Sequence, residues 1–390
     1  MTNIQKTEYL AASSVQDYEF NKTVNQKPSL FMEENSNNNS EPEDNFYGDA
    51  ISISHNDSTD KLNSTDLPKT ELSNELSKNY TNQLQLAIDT RYKEVQAKNQ
   101  QLIPNDTDYD INQKRWKGLV ERAETQSSAN SQKIMKTLSP MLPDLGNGKI
   151  DKPAKQISND CWLVGGINSL SVTDAGQKLL NNNIYKDENK HIIAIHLQEA
   201  ENKKLPQPNG DGIYTFTEKE IFDAQKRNSE QGLVSGDGDI TAFALAIDSY
   251  LNSTYNGILP EGKQHFSDGQ HVSRIYEILT GAKRNDTNNF IKYKFLEDTN
   301  SKEEVFNEIY STIENKKGAS TVNIGNHAFS VVDVDNTSNT KSLLIQESNL
   351  SEGFTQYFEL IPNSYPPTYK LPLDKFGEYV HDYGILNFNP

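Results

Sequence analysis

The sequence predicts an α+β fold in which a helical half precedes a half made mostly of β-strands, with a disordered N-terminal extension in front of both. Three observations lead to this prediction. Polar residues dominate the first 80 residues, and the middle of the chain carries apolar residues at helical spacing. The last third consists of short apolar or alternating runs that are separated by turn residues.

The N-terminal region differs in composition from the rest of the chain. Of the 390 residues, only 34% are hydrophobic, and the mean hydropathy is -0.77. The deficit is concentrated in residues 1–80, where Asn, Ser, Thr, Asp, Glu and Lys dominate. A segment of this composition buries too little apolar surface to offset the chain entropy that is lost on folding. We therefore expect residues 1–80 to form a disordered, acidic extension.

Residues 81–145 are predicted to form a helical segment that ends in a linker. Apolar residues lie on one rough helical face between Leu84 and Ala97, and a second, weaker helical pattern covers 111–124. Residues 138–148 contain several Pro and Gly residues, which is typical of a linker. The main folded domain is therefore expected to cover 146–390.

The charge and the cysteine count argue against several classes of protein. The formal net charge is -17, the wrong sign for binding nucleic acid or an anionic membrane. A single cysteine excludes an internal disulfide. The first residues lack the pattern of a signal peptide, and no run of about 18 apolar residues suggests a membrane span. We expect a cytoplasmic protein, or one exported by a route without a cleavable signal peptide.

The first helix of the main domain is predicted at Cys161–Ser171. Asn159 or Asp160 is available to cap its N-terminus. Gly165 and Gly166 lower its helix propensity, which suggests a packing reason for their presence. Because a glycine has no side chain, we expect another backbone to approach the helix closely at these two positions.

The other elements of the main domain are predicted from the spacing of apolar residues. Helices are expected over 239–252, 272–279 and 373–380. Strands are expected over 192–195, 212–217, 320–324, 327–334, 343–346, 356–360 and 384–388. In the strand 327–334, alternation places His327, Phe329 and Val331 on one face.

Three residues in the main domain carry the parts of a cysteine-nucleophile hydrolase. Cys161, His327 and Asn349 supply a thiol, an imidazole and an amide, in that order along the chain. The thiolate is the reactive form of such a cysteine. The positive end of a helix that begins at Cys161, a nearby imidazolium and burial beside Trp162 would each favour it.

Around these residues the chain resembles the catalytic core of the calpain family, within the papain-like fold. The resemblance covers about 155–389 and rests on several segments in the same order as in the family. These segments are the block Gln156 to Leu163, Gly212-Ile213-Tyr214-Thr215, the helix around Phe243 to Tyr250, Ile278-Leu279-Thr280-Gly281, His327-Ala328-Phe329-Ser330-Val331, and Leu344-Ile345 leading to Asn349.

The resemblance implies a role for each matching residue. Cys161 would be the nucleophile, and His327 would be its general base and later the general acid. Asn349 would orient the imidazole, and Gln156 would donate its side-chain amide to the oxyanion hole together with the backbone amide of Cys161. The fold would be papain-like, with a helical subdomain that carries the cysteine and a β-sheet subdomain that carries His327 and Asn349.

The sequence departs from the family pattern at two of these positions. Gln156 lies one residue closer to the cysteine than the family glutamine does. Asn349 is followed by Leu350-Ser351-Glu352-Gly353 where the family has Pro-Trp-Gly, so the tryptophan that would shield the histidine–asparagine hydrogen bond is missing. These departures affect the roles of Gln156 and Asn349 more than those of Cys161 and His327.

The predicted activity is that of a calpain-like cysteine endopeptidase acting on an extended peptide, in another protein or in the chain's own N-terminal region. Two alternatives remain open at this point. One is an acyl- or amide-transfer enzyme of the same fold, such as a deamidase or transglutaminase, which needs the same three residues. The other is an inactive relative that binds a partner protein, which the spacing of Gln156 favours.

The sequence requires no cofactor, and calcium is implied by the resemblance only. Residues 207–218 match part of an EF-hand loop, but Gln207 stands where the first carboxylate ligand is needed, and the segment matches a family strand. No metal site is therefore predicted. His191 and His196 flank the strand-like run 192–195 and are expected to be structural.

Overall fold

The structure is a computed structural model of the chain. It describes residues 69–108, 110, 150, 160–203, 211–231, 237–254, 270–287, 290–299, 301–325, 327–337, 340–348, 354–362, 364 and 366–388. The chain divides into two compact units, Met1–Ser77 and Lys78–Pro390. Apart from the beginning of the first helix, everything described below belongs to the second unit.

The first described part of this unit is a long helix beside a small antiparallel sheet. Helix α1 is Lys69–Ala97, and the strands of the sheet, in the order β1-β2-β3, are Ile184–Asp187, Ile192–His196 and Ile213–Thr217. Alternate residues of β2 face opposite ways. Ile192 and Ala194 pack with α1, whereas Ile193 and Ile195 join the main core. Strand β2 is apolar at successive positions because both of its faces are buried.

Helices make up most of the first half of this unit. They are α2 (Cys161–Ser171), α3 (Asp174–Asn182), α4 (Gln198–Asn202), α5 (Glu218–Gln231), α6 (Gly238–Thr254) and α7 (Arg274–Thr280). Helix α7 ends at Gly281, which has a φ of +67°. A left-handed residue of this kind commonly ends a helix, and glycine adopts it without steric cost.

The second half is a seven-stranded antiparallel sheet with two helices. Its strands lie in the order β4-β10-β5-β6-β7-β9-β8. They are β4 (Ile291–Phe295), β5 (Gly318–Ile324), β6 (His327–Asp335), β7 (Ser342–Glu347), β8 (Glu359–Leu360), β9 (Thr368–Pro372) and β10 (Val380–Asn387). A 3-10 turn at Leu296–Asp298 precedes helix α8 (Lys302–Glu314), and helix α9 (Leu373–Tyr379) leads into β10. Side chains of α8 and α9 share a hydrophobic core with Phe329 and Val331 of β6.

The contact between α2 and β6 joins the two halves. A Cβ atom at Gly165 would lie 3.3 Å from the Cβ of Ala328, and the Ser330 hydroxyl donates a 2.9 Å hydrogen bond to the carbonyl oxygen of Gly165. On another side of the helix, a Cβ atom at Gly166 would lie 1.9 Å from Cγ2 of Ile275. The expected close approach of another backbone is confirmed at Gly165, where the Cβ would lie 3.7 Å from the carbonyl carbon and oxygen of Ala328, but at Gly166 the neighbour is the side chain of Ile275.

Most elements predicted for the main domain are present in the α+β structure. The helix Cys161–Ser171 is confirmed over its predicted length, and α6 and α7 match their predictions to within two residues. Helix α1 begins at Lys69, within the region that composition assigned to the N-terminal extension. The predicted elements 111–124 and 138–148 and the start of the main domain at residue 146 lie outside the described residues.

One strand prediction was wrong in extent, and several elements were missed. The predicted strand 356–360 is reduced to Glu359–Leu360, because residues 354–357 form a turn that buries Phe354 and Phe358 in the core. The elements that were not predicted are helices α3, α4, α5 and α8 and strands β1, β4 and β9. Among the helices of the described residues, none is long and apolar enough to cross a membrane.

The contact at Gly166 generates a stability prediction. The substitution Gly166→Ala should destabilise the fold, because the new methyl group would overlap a buried isoleucine, and overpacking of this kind costs about 1–3 kcal/mol. Gly377→Ala in α9 is the matched control, since its Cβ would meet only Lys302, at 3.4 Å. Chemical denaturation of both variants measures the difference. Equal stability of the two variants would contradict the packing described here.

Candidate active site

Cys161 is the first residue of α2 and is partly exposed, whereas the rest of the helix is largely buried. Asp160 occupies the N-cap position, and its carbonyl oxygen accepts the first hydrogen bonds of the helix, from the amides of Leu163 (3.0 Å) and Val164 (3.1 Å). The Asp160 side chain makes no capping hydrogen bond, so the predicted side-chain cap is wrong for this residue. Asn159 lies outside the described residues. Because Cys161 begins α2, its thiol lies at the positive end of the helix dipole.

His327 is the first residue of β6 and is only 6% exposed. The side chain of Cys161 lies close enough to this ring to help raise its pKa. The contact between α2 and β6 accounts for this meeting, because it holds the N-terminus of the helix beside the start of the strand. Two of the predicted site residues, one from each half of the domain, are thus in direct contact.

Two residues at the end of β7 surround the other side of the ring. Oε1 of Glu347 lies 2.6 Å from Nε2 of His327, and Oγ of Ser348 lies 3.0 Å from the same nitrogen. The Ser348 hydroxyl also donates to the carbonyl oxygen of Ala328 at 3.2 Å. Both Glu347 and Ser348 are fully buried. The imidazole is therefore held between a thiol and a carboxylate.

Glu347 was missed as a site residue by the sequence analysis. The resemblance directed attention to the amide of Asn349, two positions further along. A signal was present, because Glu347 ends the strand Leu343-Leu344-Ile345-Gln346 as its one acidic residue, and a buried acid is rarely found without a partner. The partner could not be identified without the register of β6 and β7.

The other two predicted site residues, Gln156 and Asn349, lie outside the described residues. Their roles in the oxyanion hole and in orienting the imidazole stay predictions. The structure describes Ser348 as the last residue before Asn349, in a turn that follows the end of β7 at Glu347.

The surroundings of His327 decide its protonation. Burial by itself would lower the pKa of this imidazole, because it removes water from the charged form. The charge of Glu347 and the hydrogen bonds to Cys161 and Glu347 act in the opposite direction and outweigh burial, so that the pKa of His327 is raised from 6.5 to about 10. At neutral pH the ring is therefore an imidazolium.

Within the described residues, no group of three or more His, Cys, Asp and Glu side chains is placed to bind a metal ion. Glu218, the last residue of the partial EF-hand match, lies 2.8 Å from Nζ of Lys186 and is thus engaged in an ion pair. His196 contacts Glu201 at 3.0 Å, as expected for a structural histidine.

No model of a protein family matches the chain, and no curated protein matches it either.

The raised pKa of His327 predicts how the stability of the fold depends on pH. Since the folded value lies above the unfolded value, the ion pair stabilises the fold fully below the ordinary pKa of 6.5, and this contribution is lost as pH rises to about 10. The stability difference between the native chain and His327→Gln should therefore shrink from pH 6.5 towards pH 10. Thermal melts across this range measure it, and a pH-independent difference would contradict the ion pair.

Proposed function

We propose that the chain is a cysteine-type endopeptidase with a papain-like, calpain-like core. The single observation that carries this proposal is that the Cys161 thiol, at the N-terminus of a helix, lies beside the imidazole of His327. A helix N-terminus and a neighbouring imidazole are the two features that favour the reactive form of a catalytic cysteine. A buried structural cysteine needs neither of these partners.

The reaction would begin from the thiolate of Cys161, with the proton already on the imidazolium of His327. The thiolate attacks the carbonyl carbon of the scissile peptide bond, and the carbonyl oxygen becomes an oxyanion. When this intermediate collapses, the carbon–nitrogen bond breaks and His327 gives its proton to the leaving amine. The peptide's acyl group remains on Cys161 as a thioester. Water, deprotonated by His327, then attacks the thioester and releases the acid and the free thiol.

The N-terminus of α2 would help to stabilise the oxyanion. The first amides of a helix have no intrahelical acceptor, and the earliest hydrogen bond of α2 in the chain is made by the amide of Leu163. The amide of Cys161, two residues earlier, is thus available to a developing negative charge. The resemblance adds the side-chain amide of Gln156, and one such donor contributes about 2.7–4 kcal/mol in comparable sites.

The arrangement of the two halves supports a papain-like fold. A helix that begins with the cysteine packs on an antiparallel sheet that carries the histidine, so the two reacting groups lie where the halves meet. An extended peptide is the substrate that this reaction implies, in another protein or in the chain's own N-terminal region. Calcium enters through the resemblance only, and none of the steps above uses it.

Replacement of the nucleophile gives the first functional prediction. Cys161→Ala should reduce cleavage of a peptide library at least about 10⁴-fold, because loss of a nucleophile leaves only binding and the oxyanion hole. Fragments detected by mass spectrometry report hydrolysis. A gain in mass of one unit per glutamine, without fragments, would instead indicate a deamidase. Equal cleavage by the variant would exclude Cys161 as the nucleophile.

Removal of the imidazole gives a prediction that needs no substrate. Cys161 is the only cysteine, so the intact mass after treatment with iodoacetamide reports this thiol alone. His327→Ala should slow its alkylation by about 10-fold or more near pH 6, because the thiolate loses its cationic partner. His381→Ala, at an exposed position of β10, is the matched control. Unchanged alkylation in His327→Ala would mean that the thiol and the imidazole do not interact.

A further inference from the structure

We infer that Glu347 is the positioning residue of the imidazole, in the place that the resemblance gives to Asn349. For its effect on catalysis this inference rests on the proposed function. It means that the third member of the site carries a negative charge, where an asparagine would offer only a neutral amide oxygen.

The register of the sheet brings Glu347 to His327. In the antiparallel pair of β6 and β7, Glu347 lies directly opposite Phe329. Phe329 and His327 are two residues apart on β6 and therefore share a face of the sheet. Glu347 is thus the diagonal neighbour of His327, and diagonal neighbours are about 7–8 Å apart, within reach of a long side chain. A glutamate spans this distance, and the observed contact is 2.6 Å.

The burial of Glu347 indicates that its charge needs a partner. Leu343 and Ile345 precede it on the same face of β7, and both belong to the hydrophobic core. The Glu347 side chain is fully buried at the end of this apolar row. An ionised carboxylate in such surroundings is costly unless an opposite charge compensates it, and the imidazolium of His327 supplies that charge.

Ser348 and Phe329 limit the orientations of the ring. Since the Ser348 hydroxyl donates to the carbonyl oxygen of Ala328, its oxygen accepts from Nε2 of His327. Oε1 of Glu347 lies at ion-pair distance, 2.6 Å, from the same nitrogen. The hydrogen bond to Ser348 requires a proton on Nε2, so Nδ1 is the nitrogen that exchanges a proton with the thiol. The Phe329 ring meets the imidazole edge-on, with centroids 5.8 Å apart.

Among the described residues, few charged groups face His327 from the surrounding elements. Helix α2 contributes Cys161, with the buried Asp160 before it, and β7 contributes Glu347. The neighbour of His327 on β5 is Ile324, which has no charge. The residues that α8 buries are also uncharged at neutral pH. Glu347 is thus the acid in direct contact with the ring.

The carboxylate should shift the position of the proton between the thiol and the imidazole. It stabilises the imidazolium and so favours the thiolate–imidazolium pair over the neutral thiol and imidazole. Glu347→Gln keeps the shape of the side chain and its ability to accept a hydrogen bond, but it removes the charge. We expect alkylation of Cys161 at neutral pH to fall by about 10-fold, the ratio that corresponds to one pKa unit.

The test compares four full-length proteins: the native chain, Glu347→Gln, Asn349→Ala and Asp335→Asn. Asp335 is a matched control, because its carboxylate is nearly buried at the opposite end of β6, 3.1 Å from Nζ of Lys370. The rate of iodoacetamide alkylation is measured against pH. Only Glu347→Gln should react more slowly at neutral pH. The pH at which its peptide cleavage falls on the alkaline side should also lie about 1–3 pH units below that of the native chain, because the imidazolium is less stable.

Three outcomes would overturn the inference. Slower alkylation in Asn349→Ala with native behaviour in Glu347→Gln would assign the role to Asn349. Native alkylation rates in both Glu347→Gln and Asn349→Ala would mean that neither residue acts on the thiol and the imidazole. An equal fall in the alkylation rate of Glu347→Gln and Asp335→Asn would mean that a general loss of stability, and not the charge of Glu347, slows the reaction.

A measurement on the native chain covers the case in which Glu347→Gln does not fold. In ¹⁵N-histidine NMR spectra, the ring of His327 should stay protonated at least about two pH units above an ordinary histidine, whose pKa is about 6.5. Titration at the ordinary value would overturn the inference. Alkylation and NMR do not require peptidase activity, so a chain that cleaves no peptide would refute the proposed function while leaving the role of Glu347 testable.

Discussion

The close packing of α2 on β6 is the constraint on which the rest of the candidate site depends. It joins residues 165 positions apart in the chain, through the hydrogen bond from Ser330 to Gly165 and the contact of Gly165 with Ala328. A methyl group at Gly165 would lie 3.3 Å from the Cβ of Ala328, so the helix and the strand have little room for a side chain between them. Because Cys161 begins this helix and His327 begins this strand, the same contact sets the distance between thiol and imidazole. The interface of α2 with β6 is thus part of the hydrophobic packing and also positions the two residues of the site.

The electrostatics of the site follow from this packing. A buried imidazole would by itself be neutral, yet here it lies between a fully buried carboxylate and a thiol at a helix N-terminus. The two neighbouring groups stabilise its positive charge by more than burial destabilises it. Each charged form is therefore stabilised by its neighbour, and removal of the imidazole leaves the carboxylate without this counter-charge in an environment with little water. This interdependence explains why single substitutions at Glu347 or His327 should change the reactivity of Cys161.

The antiparallel sheet supplies the precision that the site needs. Strands β6 and β7 are neighbours in the sheet, so the positions of His327 and Glu347 are fixed by backbone hydrogen bonds rather than by loops. The ladder ends at Glu347, and Ser348 closes the site from the turn that follows. Helices α8 and α9 bury one face of the sheet, and this packing holds in place the strands that carry the site.

The sequence by itself determined the local elements and the reacting groups. Apolar periodicity placed α2, α6, α7 and most strands, and the single cysteine with a later strand histidine pointed to thiol chemistry. It did not reveal α8, where charged residues on the exposed face mask the apolar stripe, or the role of Glu347. Periodicity reports which face of an element is apolar, but not which element covers it. Only the tertiary structure decided that a carboxylate meets His327, because strand register is fixed by contacts between residues far apart in the chain.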